Sequence, residues 1–152
     1  MSPSDADTAP QFSQDAAIVF ALARTAMPFA GSFHEQAERW LRLLRAHGEV
    51  GATLQALGVG EAPLDPASDE HAVEACRGGG PHNSAGVVEL VCMRGFEFAR
   101  STGADTVGTV HILFAVLSVY GAAFDHELYR RGVSRDEIFE RLSRESSVEV
   151  PD

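Results

Sequence analysis

The sequence predicts an all-α fold, and three observations carry this prediction. Apolar residues recur at spacings of three and four through most of the chain, as they do along one face of a helix. Several of these segments end at a glycine or just before a proline, and the last one begins with a capping box. No segment shows the alternation of apolar and polar residues that is typical of a half-buried strand.

Length and composition fit one globular domain. The 152 residues are 45% hydrophobic and 22% charged, as in an ordinary soluble protein. The net charge of −10 disfavours binding to nucleic acid or to anionic membrane surfaces. No stretch reaches the ~20 apolar residues of a membrane span, and the acidic start does not look like a signal peptide. Two cysteines make no disulfide framework, so we expect a cytoplasmic protein.

The first half of the chain predicts three helices after a disordered arm at residues 1–11. The first helix starts at Ser13 and ends near Pro28, because a proline disfavours helical geometry in the residue before it. The third helix is short, and Gly58 is its predicted left-handed C-terminal cap. The apolar faces of the three helices are Ala16, Phe20, Ala23 and Met27; Ala37, Trp40, Leu41 and Leu44; and Val50, Leu54 and Leu57.

The second half begins after a segment rich in glycine and proline, in which we predict a short helix at 68–76 and a linker at 77–84. A helix then runs from about Ala85 to Gly103. The next helix, about 110–120, is apolar nearly all round and is predicted to be central and buried. A short helix at about 122–131 follows, and Ser134 with Glu137 forms the capping box of the last helix, which continues to about 146.

The two halves repeat a pattern. Phe20, Ala23, Met27 and Gly31 have the same spacing as Cys92, Gly95, Ala99 and Gly103. Further on, LQALGV at 54–59 matches LYRRGV at 128–133. Such internal similarity predicts two similar helical units that pack against each other.

These motifs, and above all FARSTGADTVGTVHILFAVLSVYGAAFDHELYRRGVSRDEIFERL at 98–142, resemble the N-terminal domain family of the Clp unfoldases. The resemblance implies about eight helices in two pseudo-symmetric four-helix repeats, of which the first is degenerate. It implies one domain at 12–146, with repeat one at 12–76, repeat two at 85–146 and a tail at 147–152.

The resemblance also implies a non-catalytic module that binds protein or peptide segments, among them Clp ATPase or protease components and adaptors. The chain contains no G-x4-G-K-[ST] phosphate loop. We therefore expect a stand-alone member without the ATPase domain and without a cofactor, which acts as an adaptor or as a decoy.

Binding residues are carried over from the family residue by residue. In Clp domains, the glutamate of a Glu-His pair in each repeat is associated with recognition of phosphorylated arginine. The matching pair in repeat two is Val110-His111, preceded by Thr109, so the acid is absent there. In repeat one, counting forward from Gly31 places Glu38-Arg39 at the pair, whereas counting back from Gly58 places Ala37 or Glu38 at the position of the histidine. No catalytic residue is predicted, and the predicted binding residues are Glu38, Arg39, Thr109, Val110 and His111.

Several residues allow either a structural or a functional interpretation. His111 is either a hydrogen-bonding residue at a helix start, which we favour, or part of a groove or catalytic site. Arg39, Arg42 and Arg45 form either a solvated helix face or a docking surface for an acidic partner. A zinc site is disfavoured because the spacings of the candidate ligands match no common metal motif. Those candidates are His71, Cys76, His82 and Cys92.

The sequence also allows a function other than protein binding. The scaffold could be reused as a small-molecule-binding protein or an enzyme of a specialised biosynthetic pathway, or it could sequester an antibiotic that targets Clp N-terminal domains. The absent acid at Val110 and the degenerate first repeat are compatible with a remodelled, more apolar pocket.

Overall fold

The computed structural model describes residues 11–60 and 84–149, and this part of the chain is mostly helical, which confirms the all-α prediction. Among these residues there are seven α-helices and one short 3-10 helix, Met27–Phe29. The helices are α1 (Gln14–Ala26), α2 (Phe33–Ala46), α3 (Gly48–Ala56), α4 (Ser84–Ser101), α5 (Thr109–Tyr120), α6 (Ala122–Arg130) and α7 (Arg135–Glu149).

Two short strands, β1 (Gln11–Phe12) and β2 (Thr106–Val107), were not predicted. They pair in parallel, with Gln11 opposite Thr106 and Phe12 opposite Val107. A two-residue strand is too short to show any periodicity, so the sequence pattern could not reveal it. Because Gln11 is paired here, the predicted disordered arm of 1–11 is wrong at its last residue.

The helix ends follow the predicted capping signals. The Ser13 hydroxyl accepts a hydrogen bond from the N–H of Ala16 at 3.0 Å, which starts α1. Gly58 has the left-handed φ of +87° that its role as a cap requires. At α7, Ser134 and Glu137 exchange backbone-to-side-chain hydrogen bonds of 2.9 and 3.3 Å, so the capping box is confirmed.

Helix α5 lies at the centre of the fold, as its composition predicts. It packs against α2, α3, α4 and α6. Ile112, Leu113 and Val116 are fully buried, or nearly so, in the main apolar core, together with Trp40 from α2. The core therefore joins the two halves of the chain around one helix.

Other predictions are met in part or fall outside the described residues. Cys92, which the repeat aligns with Phe20 of the first apolar face, is only half-buried, although its side chain packs against the main core. The predicted helix at 68–76 and the residues His71, Cys76 and His82 lie outside the described ranges. No single helix within those ranges is both long and apolar enough to cross a membrane, although α5 and α6 together pass that test as a pair bent by 114°.

Candidate functional site

The first predicted site lies at the start of α5, where His111 closes the first turn. Its ring nitrogen Nδ1 accepts a hydrogen bond from the backbone N–H of Gly108 at 2.9 Å. The side chain is half-buried, and this burial lowers its pKa. Since Nδ1 is an acceptor, the neutral ring carries its proton on Nε2. The geometry is that of a helix cap, in agreement with the favoured interpretation.

Thr109, the residue before Val110, connects the start of α5 to the start of α3. Its hydroxyl oxygen is buried and accepts a hydrogen bond from the backbone N–H of Val50 at 3.3 Å. That N–H belongs to the first turn of α3, where no intrahelical acceptor exists. Val110 itself is half-buried and packs against the main core. Two helix starts from different halves of the chain therefore meet at this point.

Glu38 and Arg39, the other two predicted residues, contact different parts of the fold. The Glu38 carboxylate accepts hydrogen bonds from Arg42 at 3.2 Å and from Arg131 of α6 at 3.3 Å. Arg39 donates to the carbonyl of Ala26 at 2.9 Å and so completes the end of α1. Within the described residues, no hydrogen bond or ion pair joins this pair to Thr109, Val110 or His111.

The predicted basic face of α2 is only partly solvated. Arg42 is exposed and pairs with Glu38, as the spacing of four predicts. Arg45 is half-buried and donates from Nε to the carbonyl of Val59 at 2.7 Å. With Arg39 bound at the end of α1, two of the three arginines hold the backbone of neighbouring segments.

A buried ionic cluster lies between α2 and α6 and was not among the predicted site residues. Glu127 is fully buried, and its two carboxylate oxygens accept hydrogen bonds from Arg130 and Arg131, each at 2.7 Å. His34 of α2 contacts the same carboxylate. The sequence does contain a signal: on a helical wheel, Glu127 and Arg131 fall on the face that carries Phe124.

A second buried polar chain links α2 to α5. The indole N–H of Trp40 donates to the hydroxyl of Tyr120 at 3.0 Å, and that hydroxyl donates to the side-chain oxygen of Gln36 at 2.9 Å. Burial raises the pKa of Tyr120 far above its usual range. The phenol therefore stays protonated, and all three groups have a partner.

An open pocket of about 400 Å³ lies between α4, α5 and α7. Its walls include Phe98, Phe114 and Phe139, one from each helix. Thr102, Ser118 and Arg135 add polar groups. Phe139 of α7 is half-buried, because one side of its ring forms part of this pocket.

Helix α1 exposes an apolar face on the side opposite its core contacts. Ile18 and Leu22, one turn apart, are 37% and 40% exposed. Phe29, in the 3-10 helix that follows, is 77% exposed. We call Ile18, Leu22 and Phe29 the α1 face.

Metal ligation and thiol reactivity are the two other kinds of chemistry to consider among the described residues. No group of three or more His, Cys, Asp or Glu side chains within 11–60 and 84–149 has an arrangement that could hold a metal ion. Burial raises the pKa of the Cys92 thiol, and the neighbouring Glu89 raises it further, so the neutral thiol dominates at pH 7.

No family model matches this chain, and no curated protein matches it either.

Proposed function

We propose that the protein is a non-catalytic protein-binding module with the double-repeat architecture of Clp N-terminal domains, which acts as an adaptor or as a decoy. The observation that carries the binding function is the α1 face. Ile18 and Leu22 on α1 and Phe29 in the 3-10 helix that follows are large apolar side chains left exposed within twelve residues of an acidic chain, and exposed apolar side chains of this kind suit contact with another protein.

The two-repeat architecture is supported by matching helix ends. After α3, the N–H of Val59 donates to the carbonyl of Leu54 at 3.0 Å, and after α6 the N–H of Val133 donates to the carbonyl of Leu128 at 3.1 Å. Both ends form the same glycine-containing cap, and all four of these apolar residues are buried. The two caps have the same positions in LQALGV and LYRRGV.

The packing of the two halves gives further support. Helix α2 of the first half packs against α6 of the second, and α5 of the second half packs against α3 of the first. These two contacts are equivalent if each helix of the first half corresponds to one of the second half. Such a reciprocal pair of contacts is expected when two similar units are related by a two-fold rotation.

Recognition through the α1 face does not depend on phosphorylated arginine. The acid of the family's pair is replaced by Val110 in repeat two. The carboxylate of Glu38 already accepts hydrogen bonds from two guanidinium groups of the protein itself. Binding at Thr109, Val110 and His111 stays a prediction from the resemblance.

The test is a pull-down with three baits from a lysate of the cells in which the protein naturally occurs. These are the unchanged protein, the double variant Ile18→Asp/Leu22→Asp and the control Tyr129→Asp. Tyr129 lies on α6 and is 78% exposed, so the control adds a charge at another exposed apolar residue. We expect Clp subunits, a protease or an adaptor with the unchanged protein and the control, and loss of these proteins with the double variant.

Two results would contradict the proposal. If none of the baits recovers a chaperone, protease or adaptor, the protein-binding function is wrong. If the double variant recovers the same partners as the control, the α1 face is not the surface that binds them. Circular dichroism of each bait verifies that the variants are folded.

A further inference from the structure

The pocket between α4, α5 and α7 is separate from the α1 face and has the properties of a small-ligand site. Its volume of about 400 Å³ falls in the ~300–1,000 Å³ range of ligand sites. Leu117 of α5 is buried behind it, and the three phenylalanines leave part of their rings accessible. Six of its seven lining residues belong to α4, α5 and α7, and the seventh, Thr102, lies in the turn that follows α4.

The walls favour an aromatic ligand. Phe98 and Phe114 pack edge to face, with ring centroids 5.7 Å apart and an angle of 62° between the planes. Phe114 and Phe139 do the same at 5.4 Å and 66°. This ladder presents both ring faces and ring edges to the pocket, the two surfaces with which a further aromatic ring packs favourably.

The rim favours an anion. Arg135 donates from Nε and Nη2 to the two carboxylate oxygens of Asp125, at 2.9 and 2.7 Å, and this bidentate pairing fixes its guanidinium plane. Its Nη1 makes no hydrogen bond to any residue in 11–60 or 84–149, so one edge of the cation remains available. Arg94 adds a second positive charge nearby, because it donates to the hydroxyl of Ser118 at 3.0 Å.

We propose that this pocket binds a small aryl carboxylate, a molecule with one or two aromatic rings and a single carboxylate group. The rings pack among Phe98, Phe114 and Phe139, and the carboxylate accepts hydrogen bonds from Nη1 of Arg135 and from the hydroxyl of Ser118. On a chain with a net charge of −10, Arg135 in the pocket wall and Arg94, which donates to Ser118 of that wall, provide the positive charge that selects the anion.

The test uses 2-naphthylacetate and its neutral analogue 2-naphthylacetamide as probes, titrated into the full chain by calorimetry. Amide chemical shifts in ¹⁵N-labelled protein report where each probe binds. We expect saturable binding of the carboxylate with shifts at the pocket residues, and about tenfold weaker binding of the amide, because it lacks the charge-assisted hydrogen bond. Decanoate, which has the carboxylate but no ring, is expected to bind more weakly than the naphthyl acid.

Substitutions separate the contribution of the positive charge at the rim from that of the space between the aromatic walls. Arg135→Gln removes the one guanidinium in the pocket wall and is expected to reduce the preference for the carboxylate probe, because only Arg94 beside Ser118 remains. The matched control is Arg144→Gln, an exposed arginine of the same helix that pairs with Glu140 and does not line the pocket. It should keep the preference for the carboxylate. Ser118→Trp places a large ring in the pocket and should abolish binding of both probes. If that variant does not fold, Thr102→Trp does the same from the turn that follows α4.

The absence of saturable binding by the unchanged protein would overturn the proposal, and so would binding that survives a folded Ser118→Trp or Thr102→Trp variant. Equal affinities for the carboxylate and the amide, or tighter binding of decanoate, would overturn the ligand class. The inference is independent of the proposed protein-binding function, because Ile18→Asp/Leu22→Asp should leave naphthylacetate binding unchanged.

Discussion

The hydroxyl of Thr109 accepts a hydrogen bond from the backbone N–H of Val50, two residues that are 59 positions apart in the chain. Helix α3 therefore obtains one of its N-terminal partners from the start of α5. A helix normally completes its first turn with a nearby side chain or with water. Here a side chain from the other half of the protein does so, and the contact couples the two halves at their helix starts.

Loss of this hydroxyl should destabilise the protein. In Thr109→Val the side chain keeps its shape, but the buried N–H of Val50 has no acceptor, which costs about 1–3 kcal/mol of unfolding free energy. Thr109→Ser keeps the acceptor and serves as the control. Urea unfolding followed by circular dichroism measures both. A Val variant as stable as the unchanged protein would show that the hydrogen bond contributes nothing.

Gly48 should tolerate substitution less well than Gly58, although both have a left-handed φ, of +71° and +87°. A Cβ at position 48 would lie 2.7 Å from the Thr109 side chain, whereas position 58 faces open space. Gly58→Ala has only the backbone cost of about 1–2 kcal/mol. Gly48→Ala adds a steric clash, so we expect a larger loss of unfolding free energy. Equal losses for the two variants would contradict this explanation.

The sequence was sufficient to predict most helices because each has a periodic apolar face and a terminal signal. The helix at 109–120 was predicted to begin one residue later than it does, and Gly58 and the capping box at Ser134 were identified correctly. These features depend on residues within a few positions of one another, which a single sequence displays directly.

What the sequence did not predict depends on contacts between distant residues. The pairing of Gln11 with Thr106 and the contact of His34 with Glu127 each join segments from opposite ends of the chain. The pocket could not be located either, because its three phenylalanines come together only after α4, α5 and α7 have packed. A helical wheel shows that Glu127 faces inward, but not which cations it meets.

The buried carboxylate of Glu127 should be the most sensitive position of the ionic cluster. Glu127→Gln breaks the buried ion pairs with Arg130 and Arg131, while Arg131 keeps its pair with Glu38; removing one partner of a buried ion pair costs about 3–5 kcal/mol. Glu140→Gln breaks an exposed pair with Arg144 and should change the unfolding free energy by less than about 1 kcal/mol. Chemical denaturation of both variants measures the difference, and similar values for the two would refute the role assigned to the cluster.

The cap formed by His111 should make stability depend on pH. Burial lowers the pKa of the ring in the folded protein, so below the ordinary histidine pKa of about 6.5 the unfolded chain binds the proton more readily. The stabilisation is therefore complete above that pH and is lost as the pH falls through the lower pKa of the folded state. Protonation also converts Nδ1 from an acceptor to a donor and breaks the hydrogen bond with Gly108.

Two variants of His111 separate the stability that comes from the hydrogen bond to Gly108 from the stability that depends on protonation of the ring. The side-chain oxygen of Gln in His111→Gln accepts the N–H of Gly108 at every pH, so this variant should lose less stability than the unchanged protein between pH 7 and pH 5. His111→Ala removes the cap and should cost about 1 kcal/mol at pH 7. Unfolding free energies across this range test both expectations. If the unchanged protein and His111→Gln lose the same stability on acidification, His111 is not the group responsible, and another titratable group carries the pH dependence.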